Sequence, residues 1–236
     1  MNYSDQFKRV QENIQKAKEK SPYQQEVKLV CVTKNHDPSI VQAVLDNGEY
    51  CIGENRVQEF LTKYNAYKDR TDKLEYHLIG SLQSNKVKYI IDKVDLIHSL
   101  DRLSLAKEIN KRAKAIDRKM PCLIQVNVSK EDSKSGLYLE EVEAFLEKCL
   151  EYPNISIQGL MTMAPHTDDR DYIRKIFREL SNLREKISKK GYNELDMKYL
   201  SMGMTNDYTI AIEEGANIVR VGRSLFGQRD YSKRYY

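Results

Sequence analysis

The sequence predicts a single α/β domain, a closed (β/α)8 barrel preceded by one extra helix. Three observations predict it. Eight short apolar runs recur along the chain, most of them followed by an amphipathic stretch. The runs are apolar rather than alternating, which suits strands buried on both faces of a parallel sheet. The 236 residues lie close to the roughly 250 typical of a TIM-type barrel. A doubly wound open sheet is the rival. It wants fewer strands and a glycine-rich turn after the first, and "TKNHDPS" holds no glycine.

The chain opens with "MNYSDQFKRVQENIQKAKEK", which is charged and helix-like. The first strand is expected over Val27–Thr33, with Lys34 standing where the run stops. Asp37 and Pro38 then read as an N-cap and a first helical residue. Further strands are expected at Tyr50–Ile52, Glu75–Ile79, Val94–His98, Cys122–Asn127, Ile155–Gly159, Met197–Ser201 and Asn217–Val221. After the fourth, Leu103, Ala106, Ile109, Ala113 and Ile116 fall on one helical face, with Asp101 as its cap. After the sixth, Ile173, Ile176, Phe177, Leu180, Leu183 and Ile187 do the same, and Gly191 stops the helix. The tail "RDYSKRYY" reads as peripheral. No linker, repeat or low-complexity tract interrupts the chain, so residues 1–236 are taken as one domain.

Composition excludes several classes. Hydrophobic residues make up 40% of the chain without any long apolar run, so no span of a membrane is expected. The start lacks the apolar centre of a secretory signal, and a cytoplasmic protein is the default. The four cysteines, Cys31, Cys51, Cys122 and Cys149, have no C-x-x-C spacing and read as reduced thiols. The four histidines are dispersed, so no metal site is expected. Net charge is +4, from 39 basic and 35 acidic residues. The densest basic stretch, Glu108 to Lys119, lacks aromatic interleaving and reads as a solvated helix face rather than a nucleic-acid surface.

In such barrels the chemistry lies at the C-terminal ends of the strands, often with phosphate held by the loops after strands seven and eight. Lys34 ends the first strand. Ser201-Met202-Gly203-Met204 ends the seventh and leads to a helix expected from about Thr205. Arg220 and Gly222 end the eighth. Small residues let backbone N–H groups approach an anion, and helix N-termini favour one. A phosphate clamp on the rim and a lysine in the mouth suit a ligand carrying both a phosphate and an aldehyde, as pyridoxal 5′-phosphate (PLP) does. Lysine joins such an aldehyde as a Schiff base, and Arg220 is a candidate donor to the pyridine nitrogen. An ordinary salt bridge for Arg220 stays an equal reading. His77 and Gln83 to Lys86 are candidates for a wall or gate, His36 for a solvated loop residue, and Lys134 for a surface lysine with a conceivable second contact to the aldehyde. The methionines Met161, Met163, Met202 and Met204 read as soft apolar wall.

The motifs "KLVCVTKNH", "GENRVQEF", "HLIGSLQSNK", "QVNVSKEDSKSG", "GLMTMAP", "LSMGMTNDYTIAIEEGANIVRVG" and "SLFG" occur in this order. In them the chain resembles the pyridoxal phosphate homeostasis protein family, itself similar to the N-terminal barrel of alanine racemase. The likeness runs from about Val27 to Gly227. It implies a fold type III PLP-binding barrel without established turnover, and so no catalytic residue. It implies PLP on Lys34, with Asn55 near the ring and Arg220 toward the ring nitrogen. Phosphate contacts are implied from Ser201, Gly203, Met204, Gly222 and the residue after it. That last residue is a departure: the family commonly has Thr or Ser there, and this chain has Arg223.

Three functions are open to such a chain: a carrier in intracellular PLP homeostasis, an amino-acid racemase, and a binding scaffold without cofactor, in which Lys34 is merely solvated. The racemases it resembles take a second proton donor, a tyrosine, from the partner subunit's C-terminal β domain. No such domain is expected within 236 residues, and none of the 16 tyrosines falls in a motif for that base. An open mouth suits transfer of PLP to apo-enzymes better than turnover. The carrier, as a monomer without nucleic-acid or membrane partners, is the favoured expectation.

Overall fold

The computed structural model describes residues 3–192 and 195–228. The tail beginning at Arg229 lies outside the described residues. Eight strands close into one barrel, each parallel to its neighbours and in chain order around the ring. They are β1 (Lys28–Val32), β2 (Cys51–Glu54), β3 (Glu75–Leu78), β4 (Leu96–Leu100), β5 (Met120–Gln125), β6 (Ile155–Met161), β7 (Tyr199–Ser201) and β8 (Ile218–Val221). Closure comes from β1 against β8, with Lys28 opposite Ile218 and Cys31 opposite Val221. Each expected run forms a strand. Being covered inside and out, the strands are mostly apolar, with buried polar side chains such as His77, His98 and Arg220 among them.

Side chains alternate between two cores. Val30, Cys51, Leu96, Leu123, Met161 and Ile218 point into the barrel. Leu29, Cys31, Ile52, Leu78, Ile97 and Ile124 face outward, under the helices. The helical ring is α2 (Ile40–Asp46), α3 (Val57–Tyr67), α4 (Leu103–Lys114), α5 (Val142–Cys149), α6 (Arg170–Lys189), α7 (Tyr208–Glu213) and α8 (Arg223–Phe226), with a 3-10 turn over Ser84–Tyr89 after β3. The extra helix α1 (Ser4–Lys20) lies beside α7 and α8. Phe7 meets Phe226 edge-on at 5.8 Å, and Asn13 Nδ2 donates to Tyr208 Oη at 3.1 Å. All four cysteines are free and buried. No helix among the described residues is long and apolar enough to cross a membrane.

The helix ends depart from expectation more than the strands do. α6 is as expected: Asp169 Oδ1 accepts the Tyr172 N–H at 3.0 Å, and its six apolar positions are buried. α4 starts two residues after Asp101, which pairs with Arg102 Nη1 at 2.6 Å instead of capping. It stops at Lys114, so Ile116 lies beyond it and is exposed, and Leu105 is buried on the inner face. Asp37 Oδ1 accepts the Ser39 N–H at 2.9 Å, so it closes a turn ahead of α2 rather than capping the helix. α7 begins at Tyr208, not near Thr205, because a turn spans residues 205–207.

Candidate functional site

A cavity of about 650 Å³ opens at the C-terminal end of the barrel. Lys34, Asn55, Met204, Arg220, Gly222 and Arg223 all line it. Six of the nine expected site residues thus meet at one place, although they come from loops far apart in the chain.

Lys34 sits in the turn after β1, half-buried, one residue past Thr33. That turn is fastened from behind. Lys63 Nζ, on the inner face of α3, donates to the Thr33 carbonyl at 2.8 Å and to Glu54 Oε1 at 2.7 Å. Thr33 Oγ1 also donates to Glu54 Oε1, at 2.5 Å. Glu59 Oε2 accepts the Asn35 N–H at 2.8 Å, with Asn35 in the left-handed region at φ 57°. The backbone on either side of Lys34 is therefore pinned to buried charges. Glu54, Glu59 and Lys63 are each 2% exposed or less. Two buried carboxylates share one ammonium. Burial outweighs the pull of Lys63 and raises Glu54 to about 7. None of the three is evident as a site residue from the sequence. Their one signal there is a lysine on the apolar stripe of α3, between Phe60 and Tyr67.

Arg220 is 4% exposed and reaches the cavity from inside β8. Its Nη2 donates to the Thr162 carbonyl at 2.8 Å and its Nη1 to Ser201 Oγ at 2.5 Å. Burial lowers its pKa to about 10, with Asp207 pulling the other way. The guanidinium stays charged at neutral pH. This is not the ordinary salt bridge considered from sequence, since both of these hydrogen bonds run to oxygens without formal charge.

The rim of the seventh and eighth loops is tighter than expected. Gly203 has φ +92°, and a Cβ there would stand 2.6 Å from the Ala211 Cβ and 2.8 Å from the Tyr208 Cα, so only glycine fits. Ser201 does not reach the cavity. It is wholly buried, with its hydroxyl against Arg220 and His98. Met202 is packed in the outer core. The Met204 N–H is already used by Asp207 Oδ1, at 2.5 Å. Gly222 precedes α8, and the Arg223 guanidinium reaches Asn206 Oδ1 at 3.4 Å, tying the eighth loop to the seventh. α7 and α8 have only 6 and 4 residues. Their dipoles are correspondingly small, so an anion here would be held by turn backbone and side-chain cations.

The loop after β6 forms the opposite wall, with Met163, His166 and Asp168. Lys34, Arg170, Arg220 and Arg223 outnumber Asp168 and Asp207 in the cavity lining, which favours an anionic ligand. Lys134 Nζ contacts the Met163 carbonyl at 3.4 Å and pairs with Glu131. It is more buried than a surface lysine. His36 packs its ring 5.5 Å from that of Phe226. His77 is no gate: it lies inside the barrel, 2% exposed. At the N-terminal end, Cys51, Glu75 and His77 bring ligand-type atoms within 4.8 Å of one another. Lys28 Nζ, 2.5 Å from Glu75 Oε2, already supplies positive charge there.

Residues 6–230 match the family model "Alanine racemase, N-terminal domain". Over 232 residues the chain is 45% identical to a pyridoxal phosphate homeostasis protein of Aquifex aeolicus, covering 98% of this chain and 100% of that one. The chain belongs to the pyridoxal phosphate homeostasis protein family. The member from Escherichia coli is 35% identical over 214 residues, 89% of each chain. Among solved structures, PipY of Synechococcus elongatus with PLP bound superposes with a TM-score of 0.80 at 30% identity, covering 92% of this chain and 99% of that one. An alanine racemase from Clostridium difficile, bound to cycloserine, shares the barrel alone. Its TM-score is 0.73 at 16% identity, over 98% of this chain and 61% of that one.

Proposed function

We propose that the chain binds PLP in the C-terminal mouth, holds it as a Schiff base on Lys34, and serves intracellular PLP homeostasis as a carrier without turnover. The observation that carries this reading is that Lys34 and a buried, charged Arg220 face one cavity whose rim is the Gly203 and Gly222 loops. The residues fit the group. Lys34 supplies the amine, Arg220 a donor that keeps a ring nitrogen unprotonated, and Arg223 with the Gly222 turn a seat for phosphate. Asn55, which lines the same cavity, serves as a ring contact. Ser201 acts indirectly by holding Arg220, Gly203 by letting the seventh loop close, and Met202 by packing beneath it. Met204 serves as apolar wall, and its N–H turns to phosphate only where Asp207 gives way. When bound, PLP supplies an aldehyde that amines exchange on, which is what release to apo-enzymes requires.

The homeostasis names of the relatives and the PLP in PipY support this reading. The cytoplasm is its place of work and the monomer its working form. The test is the absorption spectrum of the purified protein with and without PLP, then borohydride reduction and peptide mass. The expected result is a yellow complex and one adduct on the Lys34 peptide, both lost in Lys34→Ala. An unmodified Lys34 peptide would overturn the proposal.

The racemase reading keeps one structural support, the shared barrel. Among the described residues no tyrosine lines the cavity, and His166 is its imidazole. Incubation with L- or D-alanine is expected to leave each enantiomer unchanged. Sustained inversion would replace the carrier reading with the enzyme.

A further inference from the structure

A line of polar contacts runs through the barrel from one end to the other, hydrogen bonds from Arg220 as far as His77 and a closing His77–Glu75 contact. At the mouth, Arg220 Nη1 donates to Ser201 Oγ at 2.5 Å. Ser201 Oγ lies 2.9 Å from His98 Nδ1. His98 Nε2 lies 3.0 Å from His77 Nδ1. His77 Nε2 lies 3.4 Å from Glu75 Oε2, at the N-terminal end of β3. There Glu75 and Lys28 line a second cavity, of about 600 Å³. Four strands, β3, β4, β7 and β8, contribute one link or more.

The two ends fix what lies between them. A guanidinium only donates, and a carboxylate only accepts. Ser201 therefore accepts from Arg220 and passes its own proton to His98 Nδ1. His98 must then carry its proton on Nε2 and donate to His77 Nδ1. His77 in turn carries its proton on Nε2 and donates to Glu75. Each intervening group has a partner for its proton and its lone pair, and only this direction achieves that. A second proton on either imidazole would set donor against donor. Burial drives both histidines the same way, toward the neutral form. The hydrogen bond from His77 and Lys28 beside Glu75 hold that carboxylate ionised. The other charges near the line are Asp95 by His77 and Asp207 by Arg220. Because Arg220 does not release a proton, the line orients and does not conduct.

We propose that Glu75, from the far end of the barrel, is a positioning residue for Arg220, acting through His77, His98 and Ser201. The acceptor at the bottom sets both imidazole tautomers, and these keep the Ser201 hydroxyl turned so that its lone pair meets the guanidinium. The direction in which Arg220 offers its remaining N–H groups to the mouth is thereby set at the opposite rim. The effect on bound PLP rests on the proposed function, whereas the tautomers do not.

The test reads histidine ring ¹⁵N shifts in the cofactor-free protein at neutral pH, for wild type, Glu75→Leu and Glu75→Gln. Wild type is expected to show His77 and His98 neutral with the proton on Nε2. Glu75→Leu removes the terminal acceptor, and the Nδ1–H form should appear at both histidines. Glu75→Gln retains an acceptor oxygen and should restore the wild-type pattern. With PLP added, Glu75→Leu should shift the absorption maximum while the Lys34 adduct still forms. A wild-type His77 or His98 that is cationic, or protonated on Nδ1, overturns the inference without any variant having to fold. So does a Glu75→Leu protein whose His98 signals match wild type. Absence of the adduct in wild type would count against the cofactor reading alone and leave the histidine result standing.

Discussion

A buried charge is tolerable only with its partners in place, as Lys63 illustrates. Replacing it by Met strands Glu54 and Glu59 together, and breaking such a buried set costs about 3–5 kcal/mol. A denaturant midpoint well below wild type, with unchanged slope, is the expected measurement. The pH dependence has a definite sign. Glu54 is raised to about 7 from a usual 4.5, so its folded form binds a proton that its unfolded form has already released. Its contribution is full below about 4.5 and declines as pH rises toward 7. Glu75, lowered to about 2, runs the other way, present above about 4.5 and lost as pH falls toward 2. Glu54→Gln should therefore remove the decline that Glu54 contributes between about 4.5 and 7, read as the difference between its denaturant midpoints and those of wild type across pH. Among the buried and half-buried charges around the mouth, Lys34 and Arg220 are legible in the sequence, and Lys63, Glu54 and Glu59 are not. A lysine after a strand end can be seen in one dimension. Lys63 and Glu54 lie nine positions apart, and they become a pair only when α3 folds back over β2.

Among the elements, the turn that carries Gly203 is the most constrained. With φ +92° and no room for a Cβ, Gly203→Ala should cost about 1–3 kcal/mol in backbone strain alone. At about 2–4 °C per kcal/mol for a chain of this size, the thermal midpoint should drop by several degrees. PLP retention should drop with it, because the seventh loop is displaced. Strands were legible because burial on both faces writes a run of apolar residues that nothing else in the chain imitates. The start of α7 was not, since residues 205–207 form a turn held by Asp207 on the Met204 N–H, and such a contact leaves no periodic trace. α4 misled for a related reason. Asp101 looks like a cap, but the guanidinium of Arg102 takes its carboxylate first.

At the scale of the whole molecule, closure of the barrel does two things that no segment does alone. It buries every thiol, with Cys31, Cys51, Cys122 and Cys149 all 5% exposed or less. Native protein treated with an alkylating reagent should keep its intact mass, and denatured protein should gain four adducts. Partial modification under native conditions would mean that the barrel opens locally. Closure also brings β3 and β4 against β7 and β8, which is why the line from Glu75 to Arg220 could not be read from motifs. Its members are separated by as many as 103 positions where His98 meets Ser201. The fastening of the Lys34 turn has a consequence of its own. On the proposed Schiff base, the speed with which that amine captures an aldehyde should depend in part on α3, a helix that contributes no residue to the cavity lining. Trimming the outward side of α3 should leave capture untouched, and loosening its inward side should set the nucleophile adrift while the rest of the pocket wall stays where it was.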